Sequence, residues 1–367
     1  MPKSTARRCR SRCSAPRWGS SASGGCTTCS AITPSRWRSA VRRCSRRRPA
    51  SCCCPTGPTR RRTDTPARYA GRVDRRRHPP GLTFADWHAA DGWALRRYDW
   101  APDTAVAQRG VLLFLGGRGD FAEKYLEAMA HWRARGWHVA GIDWRGQGGS
   151  GRLLADPLVN HLPALDPLLD DLAAFAAALA PRVAVAHSMG AHLLLRWLAE
   201  RGGALDAAAL SSPMLGLRAG PLGTAPLALA ARAACALGHA ERRIWEGDAG
   251  NVGGRMTSCP DRQADKVWWK ANVPAIASGA PSWGWMRAAC ASIAALDRAP
   301  LGGVATPLML MVSRRDPVVS PAAIARLSRR LPAATLHLLP GRSHELLREG
   351  DAIRHAVLAR IDAHLER

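Results

Sequence analysis

The sequence predicts an α/β fold: a mostly parallel sheet flanked by helices, with a helical lid inserted late in the chain. Three observations predict it. Short apolar runs alternate with helical patterns from about residue 110 onward, and strands separated by helices run parallel and need cover on both faces. One such run, Val183-Ala-Val-Ala-His187, passes straight into a helical pattern through a turn of small residues. A long stretch between two of the later runs, 212–300, lacks strand patterning altogether.

Taken in order, runs at 82–89 and 93–99 flank Ala90-Asp91-Gly92, a hairpin-type turn signal, and read as antiparallel edge strands. A strand over 110–115 leads into the glycine-rich turn Gly116-Gly117-Arg118-Gly119 and a helix over 120–135. A strand at 137–143, a helix at 165–180, a strand at 182–187, a helix at 189–202 and a strand at 205–211 follow. The insertion holds Ala- and Leu-rich helical sequence at 226–240, glycine-rich sequence at 247–254, and Trp268, Trp269, Trp283 and Trp285. Strands at 306–312 and 333–338, each followed by a helix, at 320–331 and 349–365, close the chain.

Chemistry concentrates at the carboxyl ends of three of these strands, where open α/β sheets gather ligands. Ala186-His-Ser188-Met-Gly190 has the layout of a nucleophile elbow with Ser188 at its tip. Side chains two before and two after the serine would collide with the neighbouring strand and helix, and Ala186 and Gly190 stand there. Asp316 follows the strand at 306–312, and His344 follows the strand at 333–338. A serine hydroxyl is a poor nucleophile at neutral pH. His344 would take its proton and pass it to the leaving group, and Asp316 would fix the imidazole tautomer. Singly, each has an ordinary structural reading: Asp316 as a turn residue before Pro317, His344 as a helix-start surface residue. Together, in that order after three strands, they point to acyl transfer. The oxyanion donors would be the amide of Met189 and an amide near Gly117 and Arg118.

The glycine-rich turn has a rival reading. Gly117-x-Gly119-x-x-Ala122 with Asp143 about 20 residues on fits the looser dinucleotide fingerprint. It leaves Ser188, Asp316 and His344 without a role. No Gly-Lys-Ser/Thr follows, which excludes a P-loop.

These segments resemble the lysophospholipase L2 and monoacylglycerol lipase branch of the α/β-hydrolases, the serine aminopeptidase S33 type. Asp143-Trp-Arg145-Gly146-Gln-Gly148-Gly-Ser150 is similar to the D-x-R-G-x-G-x-S loop of that branch. Ser211-Ser-Pro213-Met214 resembles its strand end opening into the lid, and Gly279-Ala-Pro281-Ser-Trp283-Gly-Trp285 its G-P-T-x-x-W-like segment. The Gly-Arg-Gly turn followed by Phe121-Ala-Glu-Lys-Tyr125 favours the lysophospholipase L2 side. The resemblance covers roughly residues 80–365. It implies a carboxylic ester substrate with an acyl chain, a lysophospholipid or monoacylglycerol, cleaved through an acyl-Ser188 intermediate with no metal or organic cofactor. Trp283 and Trp285 would line an acyl pocket or pack the lid. Arg118 or Arg145 would meet a phosphate head group, with a structural pairing as the alternative for Arg145. A short-chain carboxylesterase and a proline-type aminopeptidase are the neighbouring alternatives. A non-catalytic binding protein and a basic-arm nucleic-acid binder are alternatives of another class.

Composition breaks near residue 79. Residues 1–78 hold 21 of the 53 Lys and Arg, only two of the 28 Asp and Glu, and eight of the 11 Cys. With few large aliphatic side chains, this segment is expected to form no core and to be disordered. A basic arm, a transit peptide and a zinc site at Cys26-x-x-Cys29 are weighed against high-GC sequence read in the wrong frame or from too early a start. The last is preferred, leaving 79–367 as one domain of ordinary size with its lid at about 212–300. The basic charge then says little about nucleic acid, and no nucleic-acid partner is expected. Cys235, Cys259 and Cys290 form no disulfide framework, which suits a reducing compartment. No apolar stretch reaches the ~18–20 residues that span a bilayer. The expectation is a cytoplasmic enzyme acting on a lipid ester, touching a membrane surface through its lid.

Overall fold

A computed structural model describes residues 73–218, 223–246 and 256–366. The readings placed on residues 1–72, the Cys26–Cys29 pair among them, and on glycine-rich 247–254 lie outside the described residues.

Eight strands form one sheet: β1 (Leu82–His88), β2 (Ala94–Trp100), β3 (Gly110–Leu115), β4 (Trp137–Ile142), β5 (Val183–His187), β6 (Ala207–Ser211), β7 (Leu308–Ser313) and β8 (Ala334–Leu339). Their order is β1-β2-β4-β3-β5-β6-β7-β8. β2 runs antiparallel to β1 and β4, and every other neighbouring pair is parallel. The central strands β5, β6 and β7 are buried at every residue, as strands covered on both faces must be.

Alternation along each strand splits the core into two layers. Leu113, Leu115, Ala184, Ala186, Leu210 and Leu310 face α2 (Asp166–Leu179), α3 (Ser188–Glu200) and part of the insertion. Leu112, Phe114, Val183, Val185, Met309 and Met311 face α1 (Leu126–Arg133) and the terminal helix, which runs Asp351–Leu365. The helix expected over 120–135 is divided into a 3-10 turn, Ala122–Tyr125, and α1.

The insertion between β6 and β7 is helical. It contains α4 (Ala225–Ala236), α5 (Pro260–Asn272) and α6 (Trp283–Arg298). Ser282 caps α6 by accepting the Trp285 amide. A seventh helix, α7 (Pro321–Ser328), follows β7, and the terminal helix is α8. Among the described residues no helix is long and apolar enough to cross a membrane.

The packed chain begins earlier than the break in composition. Residues 73–78, grouped by charge with the amino-terminal segment, sit on α5. Arg76 Nε donates to Asp265 at 2.7 Å, and Arg75 pairs with the same carboxylate. The Trp269 indole donates to the Arg75 carbonyl at 2.7 Å, and His78 stacks on Trp269 with ring centroids 5.1 Å apart. Counting charges along the sequence misses this because the acid that pairs these arginines lies far away, in α5.

Candidate active site

β5 ends at His187 and α3 begins at Ser188 with no linker. The turn holds Ser188 at φ 51°, a left-handed value that residues other than glycine adopt only when the surroundings impose it. The surroundings are β3 and its turn. A Cβ on Gly190 would stand 2.4 Å from the Gly116 carbonyl oxygen and 2.9 Å from that of Leu115. A side chain at 190 would therefore push the serine's helix off the sheet.

The ends of β7 and β8 bring two further side chains to this point. His344 Nε2 lies 3.0 Å from Ser188 Oγ, and His344 Nδ1 lies 3.0 and 3.2 Å from the two Asp316 oxygens. Asp316 is fully buried and also accepts the amides of Val318 and Val319, at 2.8 and 3.0 Å. Burial pushes its carboxyl up. The His344 imidazole and the two amides outweigh that and hold it below its ordinary value. Burial likewise pushes His344 down, but Asp316 outweighs it, with Glu345 and Asp120 adding, and the imidazole is raised. His187, its ring 4.8 Å from that of His344, is pushed down to about 4 by burial first and by His344 second. It stays neutral beside the pair.

The glycine-rich turn after β3 closes over the serine. A Cβ on Gly117 would stand 3.0 Å from Ser188 Cβ. The Gly117 amide donates to Asp120 Oδ2 at 2.6 Å, which removes Gly117 from the expected oxyanion donors. Its role is to let the turn approach Ser188. Gln147 braces the turn from the loop after β4, donating to the Gly117 carbonyl at 2.7 Å and accepting the Gly119 amide at 3.0 Å. Sequence reading passed over Gln147 because it occupies an unspecified position of its motif.

A cavity of about 120 Å³ opens beside Ser188, walled by His344, Arg118, Met214, Trp285 and Lys270 among others. Trp285 is therefore at the site. Trp283 is not: it packs against the core on the α3 side of the sheet. Trp268 and Trp269 pack on the opposite core layer. Arg145 takes its structural role, bonding Asp171 and Asp91 and lying over Trp93. Asp143 is also accounted for, since it accepts the amides of Ala122 and Gly149 and the guanidinium of Arg96. Burial raises it to about 6 against the pull of Arg96, and its oxygens are too occupied to read a ribose. Among the described residues no group of three His, Cys, Asp or Glu side chains is placed to hold a metal ion.

Arg118 also ties the turn to the insertion. Its guanidinium lies 5.4 Å from the Trp285 ring centroid and donates to the Gly279 carbonyl at 3.2 Å. Four more groups at the cavity escaped sequence reading: Lys124, Lys266, Lys270 and Glu345. The one available signal was the four-residue spacing of the two α5 lysines, which puts them on one helix face.

Comparison with known proteins places the chain. Residues 106–351 match the family model described as serine aminopeptidase, S33. Lysophospholipase L2 of Escherichia coli is 31% identical over 273 residues, spanning 68% of this chain and 78% of that protein. A probable lysophospholipase L2 of Haemophilus influenzae is 25% identical, over 71% of this chain and 84% of its own. The solved structure of a soluble variant of monoglyceride lipase from Saccharomyces cerevisiae superposes with a TM-score of 0.64 at 19% identity. That match covers 82% of this chain and 99% of the lipase. The chain is an α/β-hydrolase and belongs to the serine aminopeptidase S33 family.

Proposed function

We propose that this protein cleaves the carboxylic ester of an acyl lipid, a lysophospholipid or a monoacylglycerol, through an acyl-Ser188 intermediate. One observation carries the reading: a serine oxygen, an imidazole and a buried carboxylate in series, at 3.0 Å and 3.0 Å, beside an open cavity. Ser188 Oγ attacks the ester carbonyl as His344 Nε2 takes its proton. The developing oxyanion meets the amides of Met189 and Arg118, each donor worth about 10²–10³ in turnover. His344 then protonates the departing alcohol and activates the water that releases the fatty acid.

The relatives' names support an ester of this kind, and the apolar wall of Met214, Trp285 and Met286 suits an acyl chain. An aminopeptidase must hold a cationic amino terminus. This cavity is lined by Arg118, Lys124, Lys266 and Lys270, and its carboxylates are already paired, which opposes that reading. In α4, Leu229 is 71% exposed, and Leu237, just beyond it, is 73% exposed; both are suited to resting on a lipid surface. The test is fatty-acid release by the full-length chain from lysophosphatidylcholine and monoacylglycerol side by side. Serine-dependent release, lost in Ser188→Ala, is expected. No release from either by a folded protein would overturn the lipid reading.

A further inference from the structure

Four buried charges stand between the two loops that close on Ser188. Lys124 Nζ donates to Glu345 Oε1 at 2.8 Å and also to Asp120 Oδ1. Arg348 Nη1 donates to the other Glu345 oxygen. None of these four side chains is more than 5% exposed. Burial alone would push both carboxyls up. At Asp120, Lys124 and then His187 outweigh it, and the carboxyl lies at about 2. At Glu345, Arg348 and then Lys124 outweigh it and hold the carboxyl well below its ordinary value. Both acids are therefore ionised, and Lys124 is the ammonium they share.

Each carboxylate is tied to a working part of the site. Asp120 Oδ2 accepts the Gly117 amide at 2.6 Å and the Tyr125 hydroxyl at 2.8 Å, which fixes the β3 turn beside Ser188. Glu345 directly follows His344, on the loop that brings the imidazole to Ser188 Oγ. Lys124 and Glu345 lie 221 residues apart in sequence, so their bond joins one loop to the other. Taking a charge out of water costs several kcal/mol, and apolar side chains of similar volume often stabilise a fold as well as a buried ion pair does. A packing role therefore leaves the cluster unexplained, whereas its location between the two loops does not.

We propose that Lys124 is a positioning residue for acyl transfer, clamping the β3 turn to the His344 loop through Asp120 and Glu345. The proposal rests on the Ser188 hydrolase reading above. Serine, imidazole and oxyanion donors must meet in one geometry, and a misplacement of about 1 Å can cost about 10²-fold in rate. Without the ammonium, Asp120 and Glu345 would repel one another across the gap between the loops.

The experiment measures kcat and KM of the full-length chain on p-nitrophenyl butyrate, a chromogenic ester that demands no particular lipid. Active sites are counted with a fluorophosphonate, and melting curves are recorded beside the kinetics. Wild-type turnover, lost in Ser188→Ala, is expected. Lys124→Gln is expected to lower kcat per active site by roughly tenfold or more while KM stays within about twofold, the mark of an interaction that counts in the transition state. Lys124→Arg keeps a cation whose fork can meet both carboxylates and is expected to recover most of the loss. Glu345→Gln weakens one arm of the clamp, should give a smaller fall with the same split, and serves where Lys124→Gln does not fold. A lower melting temperature with kcat per site unchanged makes the cluster a staple of the fold and overturns the proposal. A rise in KM alone does so too, since Lys124 would then be a substrate contact. Absence of serine-dependent turnover in wild type removes the hydrolase reading and the clamp with it. Wild-type turnover with Lys124→Gln unaffected removes the clamp alone.

Discussion

The backbone N–H of His344 donates to the carbonyl oxygen of Met256 at 2.9 Å, so the histidine loop is fastened to the insertion and not only to β8. The Glu345 amide reaches the same oxygen at 2.9 Å, and Ser343 Oγ at 3.2 Å. Two residues on, the Ser258 amide donates to Glu349 at 2.7 Å, and Thr257 Oγ1 donates to the Arg348 carbonyl at 2.8 Å. Residues 256–258 of the insertion and the loop bearing the imidazole are zipped together by these bonds.

Loosening that zipper should therefore reach the chemistry without touching it. Glu349→Gln keeps the shape and weakens charge-assisted bonds, whose loss costs roughly 1.5–3 kcal/mol. The expected outcome is a fall in kcat of about tenfold or more with the fold retained. Steady-state kinetics beside a melting curve checks it, and an unaltered kcat would uncouple the insertion from His344.

The pH dependence follows from the direction of the His344 shift. A general base works only when neutral, and Asp316 raises the pH at which His344 loses its proton. The acid limb of kcat/KM should thus reach half-maximum above the ordinary histidine value of about 6.5. Asp316→Asn removes the main cause of the raise and selects the wrong tautomer. It should move the limb to lower pH and lower the rate by about 10⁴. A pH–rate profile of both proteins decides the matter.

Gly190→Ala should fail for a different reason. Its Cβ would stand 2.4 Å from a backbone oxygen, which cannot swing aside as a side chain does. Forced shifts of this kind cost about 1–3 kcal/mol. They would also move the turn that carries Gly117 away from Ser188. Loss of melting temperature together with loss of esterase activity is expected, whereas Gly302→Ala, with open space around its Cβ, should change neither.

The two neighbouring tryptophans separate function from packing. Trp285→Ala opens the cavity wall and strips Arg118 of its ring, so KM for a long-chain ester should rise severalfold. Trp283→Ala should cost stability and leave the acyl-chain preference as it was. Measuring KM across chain lengths for both variants tests the distinction.

Much of this architecture was legible because it is written locally. Strands β3 to β7 are apolar runs, β1 and β2 flank a hairpin-type turn, and period-two alternation assigns faces without knowledge of partners. Ser188, Asp316 and His344 could be singled out because each follows a strand end. What was not legible depends on who meets whom. The Gly117 amide looks available until Asp120, three residues on, turns back to take it. Trp283 and Trp285 look alike in sequence, yet α6 turns one to the core and the other to the cavity. Lys266 and Lys270 carry no local signal of a site, and only the placement of α5 brings them to the cavity beside Ser188.

The seat of Arg75, Arg76 and His78 on α5 determines how far the chain can be trimmed from its amino end. A polypeptide begun at Pro79 would leave Asp265 without two guanidinium partners and the Trp269 indole without its acceptor. The helix so deprived is the one that carries Lys266 and Lys270. Shortening past Val73 would thus loosen one wall of the cavity from a distance, with every residue that lines it still in place.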